Sequence, residues 1–292
     1  MHRGSKTSMA YPPDPAEPPV VPPALAIGHS TNLVGVPMDF LTSCDFNDGP
    51  VPLHIAGARE MNPGLFEMLA QAGDLTEAGD AFSCYMNAMF GIDPEQRETH
   101  TDRRGGRRRF RSSFLNLIKG WGFDSNGAEG AVLKGWVESR FGIFPTFHKD
   151  AIRRIASGAW TTYVAEKMSS RFHNNAIYVQ LDLLFEFCQW ALARFAAPGQ
   201  SHLTLYRGTN SFDEHQIVRR IDKRNVIMRL NSLASFTSDR DIAGCFGDIV
   251  LTAKVPAPKV AFFNHLLKAH PLKGEGEYLV IGGEYRVAAN YF

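Results

Sequence analysis

The chain has 292 residues, a formal net charge of +1 and a hydrophobic fraction of 44%. This is enough for one large or two small globular domains, and the charge gives no bulk argument for binding nucleic acid or an anionic membrane. The four cysteines, Cys44, Cys84, Cys188 and Cys245, lie far apart and form no C-x-x-C pair. Such spacing is typical of reduced thiols in a cytosolic protein, and we therefore expect a cytoplasmic location.

The N-terminal stretch MHRGSKTSMAYPPDPAEPPVVPPALA is rich in proline and polar residues and has no apolar run of signal-peptide length. We predict a disordered or polyproline-like arm over residues 1–28. The most apolar stretch, residues 175–196, contains Asp182, Glu186 and Arg194. Charges at this density indicate a buried amphipathic helix and not a membrane span.

Residues 60–197 repeat apolar side chains every three or four positions, which predicts helices. After APGQ (197–200) the chain changes to short β-prone segments separated by turn residues, which predicts strands. Helices first and strands later indicate an α+β fold. We predict one domain over 29–292, mainly helical over 29–200 and β-rich over 201–292. Besides residues 175–196, the predicted helices are MNPGLFEMLAQAG, LTEAGDAFSCYMNAMFG, FRSSFLNLIKGWG and AVLKGWVESRFG. The predicted strands are HLTLYRG, VIMRLNSLASFTS, DIVLTAKVPAP, VAFFN and EYLVIGGEYRV.

The stretch KGEGEYLVIGGEYRV places Glu275 and Glu277 one residue apart at the start of a predicted strand. Residues i and i+2 of a strand share a face, with Cα atoms about 6.6 Å apart. Two carboxylates at this separation can flank one reacting centre, as in glycoside cleavage, where the carboxyl groups lie about 5–9 Å apart. The alternative is a solvated strand edge.

The stretch LTLYRGTN places Leu203, Leu205 and Arg207 on one face of a predicted strand. An arginine on an apolar face requires an anionic partner, and its planar guanidinium suits a phosphate or carboxylate. Gly208 follows and would let a ligand approach the backbone closely. The alternative is a strand end where Arg207 reaches solvent.

The stretch LNSLASFTSDRDIAGCFG (230–247) clusters hydroxyl side chains around an aromatic residue on a predicted strand. Hydroxyls there can orient a carboxylate or a ribose. Serine and threonine are also frequent on strands and in turns, so this stretch alone is a weak signal.

The order of these segments, an aromatic-Arg-Gly strand, an aromatic-x-Ser strand and a Glu-x-Glu strand, resembles the arginine-directed mono-ADP-ribosyltransferases over roughly residues 203–287. With GHSTNLVGVPMDFLTSCDFN (28–47) and the helical middle, the chain further resembles the bacterial dinitrogenase reductase ADP-ribosyltransferases. The resemblance implies a split β-sandwich of two small sheets, with NAD consumed as a substrate in the cleft between them. It also implies a cytosolic enzyme that inactivates nitrogenase by modifying an arginine of its iron protein, dinitrogenase reductase, under control of a PII-type signalling protein.

The resemblance assigns roles to four residues. Glu277 matches the catalytic glutamate, which would accept a hydrogen bond from the nicotinamide-ribose 2′-OH and stabilise the positive charge that develops on that ribose. Glu275 matches the glutamate that selects an arginine acceptor, whose guanidinium it would bind and orient. Arg207 matches the NAD-binding arginine, and the Gly208 backbone would hold the nicotinamide amide.

The serine of the family pattern, aromatic-x-Ser-Thr-Ser, leaves two candidates. The stretch 236–238 fits the first three positions, whereas Asp239 and Arg240 depart from the last two. Ser238 is therefore the residue we expect to orient the catalytic glutamate, and Ser235 is the alternative and a further candidate for NAD binding.

Phe246 is a candidate to stack on nicotinamide, with a place in the core as the alternative. The chain has no dinucleotide-binding glycine fingerprint after a strand and no phosphate loop ending in Gly-Lys-Ser/Thr. This does not count against NAD, because the family consumes it as a substrate. No histidine or cysteine cluster has metal-ligand spacing, and we predict no catalytic metal.

An arginine-rich stretch, THTDRRGGRRRFRSS (99–113), has three interpretations: a solvated loop, steering toward an acidic protein partner, or nucleic-acid binding. Only one aromatic residue, Phe110, lies among the arginines, and one short run is weak evidence for nucleic-acid binding, so we predict no nucleic-acid partner. Its arginines are Arg103, Arg104, Arg107, Arg108, Arg109 and Arg111.

The sequence therefore predicts transfer of ADP-ribose from NAD to an arginine of dinitrogenase reductase. The alternatives are transfer to another protein arginine, hydrolysis of NAD, and a non-catalytic adaptor that binds NAD or a partner. Glu275 argues against pure hydrolysis, which needs only Glu277. The presence of Arg207 with both glutamates argues against the adaptor.

Overall fold

The computed structural model describes residues 32–92, 112–210, 216–269, 271–272 and 276–291. Three predictions fall outside the described residues: the arm over residues 1–28, the arginines between Arg103 and Arg111, and the position of Glu275.

The part of the chain before residue 200 is helical, as the apolar spacing predicted, and every predicted helical segment contains a helix. Three helices were not predicted: two short ones near residue 40 and one near residue 160. The helices are α1 (Met38–Leu41), α2 (Cys44–Asp48), α3 (Pro63–Ala70), α4 (Leu75–Phe90), α5 (Phe114–Phe123), α6 (Ala128–Phe141), α7 (Gly158–Lys167), α8 (Ile177–Ala191) and, within the β-rich part, α9 (Arg240–Gly244). A π-helical turn over Leu192–Ala196 continues α8.

Side-chain caps explain where several of these helices begin. The Asp74 carboxylate accepts a hydrogen bond from the Glu77 backbone N–H (2.8 Å) at the start of α4, and Ser113 accepts one from Asn116 N–H (3.3 Å) at the start of α5. Each bond satisfies a backbone donor that the first helical turn leaves unpaired. At the other end of α4, Gly91 has a left-handed conformation (φ 57°) that ends the helix.

The strands after residue 200 form an antiparallel sheet. Its hydrogen-bonded order is β4-β5-β3-β6-β8-β7, with an additional pairing of β5 with β8, while β1 and β2 form a separate two-residue ribbon in the helical part. The strands are β1 (Phe147–His148), β2 (Asp150–Ala151), β3 (His202–Thr209), β4 (Gln216–Arg220), β5 (Asn225–Thr237), β6 (Ile249–Pro256), β7 (Val260–Phe263) and β8 (Glu277–Tyr291).

The predicted α+β class with a helical N-terminal half is confirmed. The two small sheets that we expected are joined by the long strands β5 and β8. These two strands pair along their length, with Thr237 opposite Glu277 at one end and Asn225 opposite Ala288 at the other. The register of this pair shifts between Leu230 and Leu233. The first part of β8 pairs with β7 and its last part with β6, so the two regions share continuous strands within one six-stranded sheet.

Helix α8 connects the helical part to the sheet, and its charged residues are buried with partners. Asp182 accepts hydrogen bonds from Arg140 Nε (2.8 Å) and Trp136 Nε1 (2.8 Å). Glu186 accepts one from the Ile55 backbone N–H (2.7 Å). The predicted buried amphipathic helix is therefore confirmed, since these contacts offset the cost of removing the carboxylates from water.

Apolar side chains from the helices and from the sheet pack into one hydrophobic cluster. Phe82 of α4 stacks on Phe187 of α8 with ring centroids 4.5 Å apart. Gln189 on the same helix donates a hydrogen bond to the Val260 carbonyl of β7 (2.7 Å). Within the described ranges, no helix is long and apolar enough to cross a membrane.

Candidate active site

Three separate segments meet at one corner of the sheet. Tyr206 on β3 pairs with Thr237 on β5, and Thr237 pairs with Glu277 on β8. Neighbouring strands lie about 4.8 Å apart, so this row of residues brings the Arg-Gly motif, the hydroxyl-rich segment and Glu277 together. The hydrophobic pattern had placed each motif on a strand, and the strand pairing brings them to one place.

Arg207 is held at this corner by its neighbour on β5. The side chain is partly buried, and its Nη1 donates a hydrogen bond to the Ser235 carbonyl (2.7 Å). Among the described residues, its Nε is buried without a hydrogen-bond partner. Burial lowers the pKa of Arg207, and the Glu277 charge opposes this shift. A buried donor without a partner is rare in proteins and suits a guanidinium that is kept for an anionic ligand.

Glu277 is the first residue of β8, and a glycine with a special conformation precedes it. Gly276 has φ 64°, and its carbonyl accepts a hydrogen bond from the Ser238 backbone N–H (3.0 Å). A Cβ at this position would lie 2.5 Å from Ser238 Oγ. Both the positive φ and the close approach require glycine between the two glutamates of the motif. As a result, Ser238 lies directly beside the start of β8.

The two candidate serines have different surroundings. Ser238 is exposed and adjoins Gly276, whereas Ser235 pairs with Leu279, two residues beyond Glu277 on β8. The Ser235 hydroxyl accepts a hydrogen bond from Trp121 Nε1 (2.8 Å), and its carbonyl accepts the bond from Arg207. Of the two candidates, Ser238 therefore lies nearer the start of β8, and Ser235 is the one bonded to Arg207.

The departure from the family pattern at Asp239 has a structural reason. The predicted strand VIMRLNSLASFTS (226–238) is confirmed to within a residue, since β5 ends at Thr237, and helix α9, which was not predicted, follows. Asp239 is the N-cap of α9, and its carboxylate accepts hydrogen bonds from the backbone N–H groups of Asp241 (2.8 Å) and Ile242 (3.2 Å). The cap thus starts a helix directly after the strand.

Gly208 and Phe246 both lie against α9. A Cβ at Gly208 would be 2.0 Å from the Ala243 carbonyl oxygen, so the packing of α9 by itself requires a glycine at this position. Phe246 is 66% exposed, which excludes its place in the core and leaves its ring open to a ligand. The same helix therefore explains the glycine and positions the exposed ring beside it.

Two buried residues of the helical part were missed from the sequence. Trp121 is 4% exposed and bonds to Ser235 across 114 residues of chain. Lys134 lies behind it, with Nζ 5.9 Å from the indole centroid, and donates to Asn126 Oδ1 (3.0 Å) and the Phe147 carbonyl (3.1 Å). Burial lowers the pKa of Lys134 to about 8. Local periodicity shows only that such residues face inward, and not which strand they contact.

No group of three or more histidine, cysteine, aspartate or glutamate side chains in the described part of the chain is arranged to hold a metal ion.

Comparison with known proteins identifies the family. The family described as dinitrogenase reductase ADP-ribosyltransferase (DRAT) matches residues 31–289, which include all three segments of the site. The curated protein named NAD(+)–dinitrogen-reductase ADP-D-ribosyltransferase from Rhodospirillum rubrum is 64% identical over 265 residues, which cover 91% of this chain and 96% of that protein. No solved structure matches the chain. The chain therefore belongs to the dinitrogenase reductase ADP-ribosyltransferase family.

Proposed function

We propose that this protein transfers ADP-ribose from NAD to an arginine of dinitrogenase reductase, releases nicotinamide and thereby inactivates nitrogenase. The observation that carries the proposal is the juxtaposition of Arg207 and Glu277 at one corner of the sheet, where the carboxylate acts on the pKa of the guanidinium. The high identity to a protein named for this activity supports the choice of substrates.

Arg207 would bind NAD through a phosphate or ribose oxygen. One side of its guanidinium is anchored on the Ser235 carbonyl, so the group is oriented before the ligand arrives. Planar guanidinium groups form strong, charge-assisted bonds with phosphate. The exposed ring of Phe246 would stack on nicotinamide, and the Gly208 backbone would hold the nicotinamide amide.

Glu277 would stabilise the reacting ribose. Its carboxylate would accept a hydrogen bond from the 2′-OH while the bond between ribose C1′ and the nicotinamide nitrogen breaks. The electron pair of that bond goes to nicotinamide, which leaves as a neutral molecule, and positive charge develops on the ribose. Ser238, next to Gly276, would hold the carboxylate in place.

Glu275 would determine the acceptor. An arginine side chain is a poor nucleophile because it stays protonated, with a pKa above about 12. A carboxylate that binds the guanidinium through two hydrogen bonds orients it toward C1′ and helps remove its proton. One nitrogen of the acceptor then bonds to C1′ and loses a proton. This role of Glu275 rests on the Glu-x-Glu spacing and on the family.

Four further parts of the proposal rest on the sequence and on the family. A single domain over 29–292 would act in the cytoplasm. A PII-type signalling protein would control the activity. For the arginines between Arg103 and Arg111, a solvated loop and steering toward an acidic protein partner remain the two leading interpretations. We propose no nucleic-acid partner.

Intact-mass spectrometry of purified dinitrogenase reductase, incubated with this protein and NAD, tests the proposal. We expect each modified subunit to gain the mass of one ADP-ribose, and the gain to be absent with Glu277→Gln. Release of nicotinamide without the mass gain would reject the target and leave an NAD glycohydrolase or a transferase with another acceptor. If neither the mass gain nor released nicotinamide is observed, enzymatic activity is rejected and the non-catalytic adaptor is favoured.

A further inference from the structure

The hydrogen bond from Trp121 to Ser235 joins the helical part to the candidate NAD site. Trp121 lies near the end of α5, and its Nε1 donates to the Ser235 hydroxyl at 2.8 Å. The carbonyl of the same serine accepts from Arg207 Nη1 at 2.7 Å. Ser235 of β5 therefore accepts one hydrogen bond from the helical part through its side chain and another from Arg207 through its backbone carbonyl.

The Trp121 ring is itself held in a defined orientation. It is almost fully buried, and the Lys134 ammonium lies over its face at 5.9 Å from the ring centroid. Lys134 is in turn fixed by hydrogen bonds to Asn126 and to the Phe147 carbonyl. A buried indole N–H needs an acceptor, and many acceptors would satisfy that need. Here the acceptor belongs to the residue that anchors Arg207.

We propose that Trp121 is a positioning residue for NAD, which acts through Ser235 on the guanidinium of Arg207. The proposal rests on the proposed function, because it takes Arg207 as the group that binds NAD. The indole bond holds the Ser235 side chain and, with it, the segment of β5 whose carbonyl orients the guanidinium. Without the indole hydrogen bond, the Arg207 guanidinium is less well oriented before NAD arrives. The affinity for NAD then falls, because the guanidinium must be ordered when NAD binds.

The variant Trp121→Phe tests this role because it removes the N–H and keeps most of the ring. Loss of one hydrogen bond of ordinary strength predicts an NAD dissociation constant raised about three- to tenfold. Ser235→Ala removes the acceptor from the other side of the same bond. Trp190→Phe is the matched control, since that ring packs on Phe187 and Phe195 of the helical part.

The experiment is a double-mutant cycle on the full chain. The NAD dissociation constant is measured by titration calorimetry, the KM for NAD and kcat by nicotinamide release, and the melting temperature by calorimetry. We expect Trp121→Phe and Ser235→Ala each to weaken NAD binding and raise KM with little change in kcat. The double variant should bind NAD no more weakly than the single variant with the lower affinity, because both changes break the same interaction.

The inference would be overturned by unchanged NAD affinity in Trp121→Phe, or by effects of the two changes that multiply in the double variant. A lowered melting temperature with unchanged KM would show a purely structural tryptophan and would also overturn it. Failure of the proposed function has a different signature. In that case the wild-type protein itself would bind no NAD, and the inference would fall with it.

Discussion

The Glu277 carboxylate acts electrostatically on Arg207: burial lowers the pKa of the guanidinium, and the glutamate charge opposes that shift. The two side chains come from β8 and β3, which are connected at this corner through Thr237 of β5. The pair thus places a guanidinium and a carboxylate at one corner of the sheet, where we propose that they bind one ligand. This arrangement suits NAD, which carries a phosphate for the first and a reacting ribose for the second.

Replacement of Glu277 by glutamine should abolish both ADP-ribose transfer and NAD hydrolysis. The amide keeps the shape of the side chain and loses the charge that stabilises the developing cation. Loss of one such electrostatic contact lowers kcat by about 10²–10³-fold or more. Nicotinamide release and subunit mass would be measured together with the melting temperature. Full transfer by this variant would show that the catalytic residue is another one.

The change Glu275→Gln should separate the two reactions. Transfer to arginine should be lost, because the neutral amide no longer pairs with the acceptor guanidinium. Hydrolysis of NAD should persist, since water needs no such partner. The ratio of modified reductase subunit to released nicotinamide reports the separation. An unchanged ratio would remove Glu275 from acceptor recognition.

The variant Gly276→Ala should lower both activity and stability. Alanine meets two costs at this position: the left-handed φ of 64° and a Cβ only 2.5 Å from Ser238 Oγ. A strained φ by itself costs about 1–3 kcal/mol. Gly199→Ala is the control, because Gly199 has φ 72° with no atom within 4 Å of a built Cβ. Chemical denaturation gives the stability and nicotinamide release the activity.

The two glycine variants should lose similar stability from strain, and only Gly276→Ala should also lose activity through displacement of Ser238. Equal activity in both variants would contradict the role of this contact in positioning the start of β8.

A buried lysine in the turn between β6 and β7 should make stability depend on pH. Lys259 is 0% exposed, donates to Asn47 Oδ1 (2.7 Å) and lies over the rings of Phe46 and Tyr285. Burial lowers its pKa from 10.5 to about 7, and Cys44 partly opposes this shift. Between these two values the unfolded chain carries a proton on this lysine that the folded protein lacks.

The free energy of unfolding should therefore rise with pH across that window, by up to about 1.4 kcal/mol per pH unit from this group. Below about pH 7 both states are protonated, and the contribution to the slope disappears. Lys259→Met removes the titrating group, so urea denaturation between pH 7 and 10 should give a smaller slope than in the wild type. Burial also lowers the pKa of Lys134, but this residue is present in both proteins and contributes to both slopes. Equal slopes would show that Lys259 stays protonated in the fold.

Local patterns in the sequence were sufficient for much of the fold. Apolar spacing located α3, α4, α5, α6 and α8, and the β-prone segments after residue 200 located five strands of the sheet. The short strand β4 was not predicted, and neither was the helix after Thr237, which begins because Asp239 caps it. Both depend on side-chain and cross-strand hydrogen bonds that hydropathy does not record.

By itself, the sequence determined the order of the three motifs. It also determined the α+β class and the placement of Arg207 beside apolar residues on its strand, because both follow from local periods of two or 3.6 residues. Only the tertiary structure decided that Thr237 pairs with Glu277, that Ser235 contacts Trp121, that α9 fills the space beside Gly208 and that Phe246 is exposed. These relationships depend on strand register and helix docking, which arise from contacts between residues distant in the chain. A local pattern shows which side chains turn inward, whereas the packed fold determines what each of them meets.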